Sequence, residues 1–201
     1  MIRTWRNYSR AVAVVVFLIF SSRILGQTLT SAATKSEVYR NDEFGIVLPV
    51  PDGLRLCPTP TSEHDHGPVL IVGNTSEKVC HDPEHSRAIH IFAGYNAADV
   101  TKKLHDFLTW ECVHIAGTPC RPAPKGLKIS GLSSEAARAE YRDGWIDIIV
   151  VTQAGKPDPA FDASVPSINY SVRLHTMPDR LEQDLRVFRL VLTAVQLSPA
   201  K

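Results

Sequence analysis

The chain has 201 residues, of which 44% are apolar and 21% charged, a balance that excludes a disordered chain and suits one domain plus a targeting segment. The formal charge of +1 hides an asymmetry: Arg3, Arg6, Arg10 and Arg23 are the only charged residues among the first 26, so the remainder holds 18 basic against 21 acidic residues, a net −3. A slightly acidic body without a basic stripe gives no electrostatic reason for nucleic acid or anionic lipid as a partner.

The amino terminus reads as an export signal. Residues 1–10 (MIRTWRNYSR) are basic, residues 11–20 (AVAVVVFLIF) are an unbroken apolar run, and Ser21, Ser22 and Gly26 follow. That order is the one a secretory signal peptide shows. The run is half the length of about 20 residues that a permanent span requires, so the expectation is removal of residues 1–26, with residues 31–33 as the alternative cleavage region, and no stable membrane span afterwards. The expected destination is periplasmic or extracellular. Residues 27–38, rich in Thr, Ser and Ala, read as a flexible leader, and residues 39–198 as a single domain.

Cysteine usage agrees with export. Cys57, Cys80, Cys112 and Cys120 all lie beyond the signal, and an even count in an exported chain predicts disulfides. Three pairings are open; Cys57–Cys80 with Cys112–Cys120 is favoured because each closes a local loop. Zinc ligation wants cysteines two to four residues apart, and no such pair occurs.

Along the domain, residues 44–48 (FGIVL) predict a first strand, stopped by Pro49 and Pro51, and residues 69–72 a short buried one ending at Gly73. Residues 87–93 (RAIHIFA) alternate, with His90 and Phe92 on one side and Ile89 and Ile91 on the other, the pattern of a strand covered on both faces. Val100, Leu104, Phe107 and Leu108 fall on one stripe of a helix over 97–111, capped by Asn96 and ended by Cys112. Residues 127–129 read as a strand. Residues 136–141 and 145–152 flank Asp143-Gly144, a hairpin signal. Residues 167–174 alternate again, with Ile168, Tyr170, Val172 and Leu174 on one side. A last helix runs from about Pro178 to Gln196 on Leu181, Leu185, Phe188, Leu192 and Val195. The fold class is therefore α+β: a mainly antiparallel sheet of six to seven strands with helices on one or both faces, an α/β/α sandwich.

Phe44-Gly45-Ile46 followed by Leu48-Pro49, the central hairpin and the amphipathic helix around Phe188–Leu197 together resemble the Mog1/PsbP-like group of exported proteins, over about residues 39–198. The resemblance implies a non-enzymatic accessory or binding domain. The cysteines and the histidine-rich loops depart from the group's usual pattern, and no functional residue carries over.

The unusual local feature is histidine. His64 and His66 flank Asp65 in one loop; His81 and His85, with Asp82 and Glu84 between, lie in the next. Imidazoles with carboxylates suit zinc, copper or nickel, so these four are the candidate ligands of a transition metal, the one cofactor the sequence suggests. The loops precede and follow the strand at 68–73, which sets them at opposite ends of it. The competing reading is polar loop residues with Asp65 and Asp82 as turn formers. His90 reads as a core or groove residue, and His105, His114 and His175 carry no signal. No Gly-x-Ser-x-Gly elbow, phosphate-cradling motif or dinucleotide fingerprint is present; Ser130–Ser134 (SGLSS) reads as a turn, and no catalytic residue is assigned. The expected function is an exported, disulfide-containing, non-catalytic domain that binds a protein or small ligand or supports an envelope assembly. The alternatives are a metal-binding protein using the histidine loops and an unrecognised hydrolase.

Overall fold

Alternation of apolar side chains along three long segments builds the molecule. The computed structural model describes residues 37–58, 65–73, 77–81, 83–96, 103–115, 117–155 and 167–198; residues 1–26, expected as an export signal, and all but the last two residues of the expected leader lie outside them. Strands β1 (Val38–Asn41), β2 (Ile46–Pro49), β3 (Leu54–Cys57), β4 (Val69–Val72) and β5 (Ala88–Tyr95) precede helix α1 (Leu104–Trp110). Then come β6 (Arg121–Pro122), β7 (Glu135–Glu140), β8 (Ile146–Ala154), β9 (Ile168–Thr176), helix α2 (Leu181–Ala194) and β10 (Gln196–Leu197). The larger sheet has seven strands in the order β3-β4-β5-β9-β8-β7-β6; β1-β2-β10 form a second, three-stranded sheet. All pairings among the described residues are antiparallel. The fold is α+β, as the element pattern predicts.

Strands β5, β8 and β9 form the centre. Their inward residues Ile89, Ile91, Ile148, Val150, Tyr170, Val172 and Leu174 are buried in one cluster with Phe188, Val191 and Leu192 of α2 and with Ile46 and Leu48 of β2. The Tyr170 hydroxyl donates to the Phe44 carbonyl at 2.6 Å, which ties the small sheet to the large one. Ile149 and Val151, one residue out of phase, point to the other face and pack with Ala137, Ala139, Phe107, Leu108 and Cys112 under α1. Helices thus cover both faces, but α1 covers only the β7–β8 side.

Several boundaries differ from expectation for local reasons. Glu37 and Val38, read as the end of the leader, are paired: the Val50 amide donates to the Glu37 carbonyl at 2.8 Å, and Val38 lies opposite Pro49. Strand β3 follows Pro51 directly, because Gly53 at φ +81° reverses the chain. Residues 127–129 join no ladder; Leu127 and Ile129 are buried instead beneath α2, where the Ser130 amide donates to the Leu192 carbonyl at 2.8 Å. Helix α1 does not stop at Cys112 but continues as a π-helical turn over Glu111–Ile115. Residues 97–102 of the expected helix lie outside the described residues. In the β7–β8 hairpin Gly144 takes φ +93°, the left-handed conformation that glycine enters without steric cost. Among the described residues no helix is long and apolar enough to cross a membrane.

Candidate functional site

The face of the large sheet opposite the α2 core carries charge. Its outward residues on β5, β9 and β8 include His90, Arg173, His175 and Asp147, and the register sets Arg173 between His90 and Ile149, and His175 between Ala88 and Asp147. Directly opposite residues in antiparallel strands have Cβ atoms about 5 Å apart, so the four side chains share one patch. The end of α1 brings Glu111 and His114 over one edge, the β7–β8 hairpin brings Tyr141 and Asp143, and the turn before β5 brings His85. Between them lies a groove of about 490 Å³, with His90, Arg173 and His175 lining it from the sheet.

Asp147 organises this floor. It is completely buried. Its Oδ2 accepts from the Tyr141 hydroxyl at 2.7 Å and lies 3.6 Å from Arg173 Nε, while Oδ1 accepts from His175 Nδ1 at 2.7 Å. A buried carboxylate without such partners is strongly unfavourable; here both oxygens are engaged. Burial, with the acceptor Asp147 at its hydroxyl, pushes the Tyr141 phenol above its ordinary range, so it stays a donor.

The His175 ring is clamped. Trp145 stacks on it at 4.5 Å between centroids and 8° between planes, and Tyr141 meets it edge-on at 5.7 Å. Its Nδ1–H donates to Asp147, which fixes the ring's orientation. Its Nε2 is buried and has no hydrogen-bond partner among the described residues. Arg173 meets Asp147 through Nε, and no hydrogen bond from its two Nη groups occurs among the described residues; its side chain is 21% exposed. Burial, and then the Arg173 charge, lower His90 to about 4. Burial raises the Glu111 carboxyl, against the hydrogen bond from Ser171 and the Arg173 charge. The groove therefore presents an open guanidinium flanked by a neutral imidazole and a fixed one, with its strongest carboxylate sealed beneath.

Of the four histidines singled out in the sequence, three are described and lie in separate places. His64, like Asp82, lies outside the described residues. His66 stacks between Phe44, at 5.7 Å, and Phe92, at 5.1 Å, with Nδ1 3.0 Å from the Ala93 carbonyl. Asp65 is the expected turn former, its Oδ1 accepting from the Gly67 amide at 3.0 Å. His81 and His85 end two short 3-10 turns, Glu77–His81 and Pro83–His85. The Ala93 amide donates to the His66 carbonyl, whereas His85 precedes Ala88, so about 17 Å of β5 runs between the two loops. Of His66, His81 and His85, only His85 lines the groove. Among the described residues no group of three or more His, Cys, Asp or Glu is placed to hold a metal ion.

The disulfides form as Cys57–Cys80 and Cys112–Cys120, with Cα separations of 5.3 and 5.5 Å. The second joins the end of α1 to the segment leading into β6. His114 and His175, which carry no signal as isolated residues, line the groove together with His90. The signal that finds His175 is the off-face of the alternation: Asp147, Arg173 and His175 interrupt strands whose other face is mostly apolar.

The chain matches no protein-family model and no curated protein. Among solved structures it is similar to LpqN, a protein of Mycobacterium tuberculosis involved in cell envelope biogenesis, with 14% identity over 77% of this chain and 83% of that one, at a TM-score of 0.49. It is also similar to the cyanobacterial PsbP of Synechocystis sp. PCC 6803, with 10% identity over 81% of this chain and 92% of that one, at a TM-score of 0.41.

Proposed function

We propose that this chain is an exported, disulfide-stapled domain of the cell envelope or extracellular space, whose role is to bind a small ligand, or an extended side chain of a partner, in the groove over β5, β9 and β8. The observation that carries the reading is the floor itself. Asp147, His175, Tyr141 and Arg173 form one oriented network, its imidazole clamped by Trp145, and concave sites with a few convergent polar groups are where ligands are held. The volume suits a molecule of drug or metabolite size. Export is supported by the basic-apolar-small order of residues 1–26 and by both disulfides, which persist in oxidising compartments.

The test uses tryptophan emission. Trp145 stacks on His175 and Trp110 on His114, at 5.0 Å, so a bound ligand changes their surroundings. A chemically broad metabolite library is screened on the purified protein for emission change and rise in melting temperature. The expected result is at least one saturable ligand whose effect is lost in His175→Gln. No hit of any chemistry, in a protein folded as judged by circular dichroism, sinks the reading. The mass of the same material reports export: it should begin near Gln27 and show no free thiol. Zinc and copper belong in the same screen, since they test the metal reading of His64, His66, His81 and His85; an unchanged melting temperature with either removes it.

A further inference from the structure

We propose that the groove selects its ligand by an oxyanion, a carboxylate or phosphate group seated on the Arg173 guanidinium between His90 and His175. This inference rests on the groove being a binding site and names the chemistry it recognises.

The first ground is the guanidinium. Nε faces Asp147 at 3.6 Å, which leaves the Nη edge directed away from that carboxylate. A planar fork of N–H donors fits a carboxylate or phosphate in two parallel hydrogen bonds. The second ground is the flanking pair. His90 sits directly across the strand pair from Arg173, and His175 two residues along β9. Both rings line the same cavity as the guanidinium. A neutral His90 offers one N–H, and the His175 ring, fixed through Nδ1 on Asp147, walls the other side.

The third ground is what the carboxylates do. Asp147 is completely buried and has both oxygens engaged. Glu111 is buried, and burial raises its carboxyl against the lowering influence of Ser171 and Arg173. Asp143 stands at the mouth on the hairpin, where its Oδ1 accepts from the Trp145 amide at 3.3 Å. The groove therefore sets the Arg173 guanidinium and His90 at its floor, with Asp147 sealed below and Asp143 at the rim.

The experiment follows the histidine ring resonances of the folded, oxidised protein at pH 7 by NMR. Sodium phosphate, benzoate and neutral benzamide are titrated at constant ionic strength held with sodium chloride. Saturable shifts of His90 and His175 with phosphate or benzoate, and none with benzamide, are expected; the tighter anion sets the class. Arg173→Gln should weaken that binding by about tenfold or more, the loss of a bidentate charged contact. Arg173→Lys keeps the charge and the pairing with Asp147 and should weaken it by less. Undiminished binding in Arg173→Lys overturns the fork, and anions that leave both rings unmoved overturn the inference. A neutral ligand that binds the groove while both anions fail removes the inference and leaves the binding-site reading standing; if nothing perturbs the groove, both fall.

Discussion

Replacing His90 by Gln should remove a specific acid sensitivity of the fold. His90 has a proton affinity lowered from the ordinary 6.5 to about 4 by burial and by the neighbouring Arg173 charge, with His175 adding in the same direction. Between those two values the unfolded chain holds a proton on this residue and the folded chain does not. Stability therefore rises with pH across that window, and protons withdraw it as pH falls from about 6.5 towards 4. At about 1.36 kcal/mol for each tenfold change in proton affinity, the full effect is at most about 3 kcal/mol. Glu111 opposes it: its carboxyl is raised, so the folded chain gains stability from that group as pH falls. Comparing wild type with His90→Gln cancels Glu111, because both proteins contain it. Urea unfolding followed by tryptophan emission, with disulfides intact, at half-unit steps from pH 8 to pH 4 gives the two curves. The variant should be the less acid-sensitive protein, with the difference opening below pH 6.5 and levelling near pH 4. Parallel curves would refute the argument that His90 is held neutral in the groove.

Two further outcomes follow from packing. Opening the 23-residue Cys57–Cys80 separation with a double Cys→Ala variant should cost about 3.5 kcal/mol, against about 2.5 kcal/mol for the 8-residue Cys112–Cys120 separation, because the longer loop regains more chain entropy on unfolding; urea midpoints of the two variants check the order. Asp184→Ala should cost about 3 kcal/mol: this completely buried carboxylate accepts from Arg87 Nη1 at 2.9 Å and from the Thr176 hydroxyl at 2.6 Å, and removing it strands both donors, while Asp184→Asn should recover part of the loss in the same thermal melts.

What the sequence discloses and what it withholds divide along a physical line. Alternation is a local property, so the order of residues alone puts Ile168, Tyr170, Val172 and Leu174 on one face, and Asp143-Gly144 marks its hairpin through the conformation glycine alone enters easily. The favoured disulfide pairing rests on loop length, another local quantity, and it is the pairing that forms. Strand order is different. Nothing within residues 88–95 states that their neighbour is β9 and not β6 or β7, and it is the β5–β9 pairing that brings His90 to Arg173 and, through β8, His175 to Asp147. The histidine-rich loops attract attention because their residues are close in sequence. The groove escapes it because its residues come from positions 85 to 175 and meet only across the sheet.

The groove also follows from a mismatch in width. Seven strands about 4.8 Å apart make a sheet near 29 Å across, and a single helix about 10 Å in diameter covers two or three of them. On one face α2 and the small sheet together close the core. On the other, α1 packs over β7 and β8 and the 3-10 turn Glu77–His81 covers only Ile71 and Ala88 with Val79 and Cys80; between them Phe92 is 42% exposed. Bare aliphatic residues there would invite aggregation, and scattered surface polar residues would be sufficient to prevent it. The residues present do more than that. Asp147 is fully buried, its ion pair with Arg173 is long, and the buried His175 Nε2 lacks a partner among the described residues. Each of these opposes folding relative to a well-packed apolar substitute. Stability alone gives no reason to keep such an arrangement on a sheet whose other face is closed with aliphatic side chains, whereas a site that must exchange water for a charged ligand requires donors held ready before the ligand arrives.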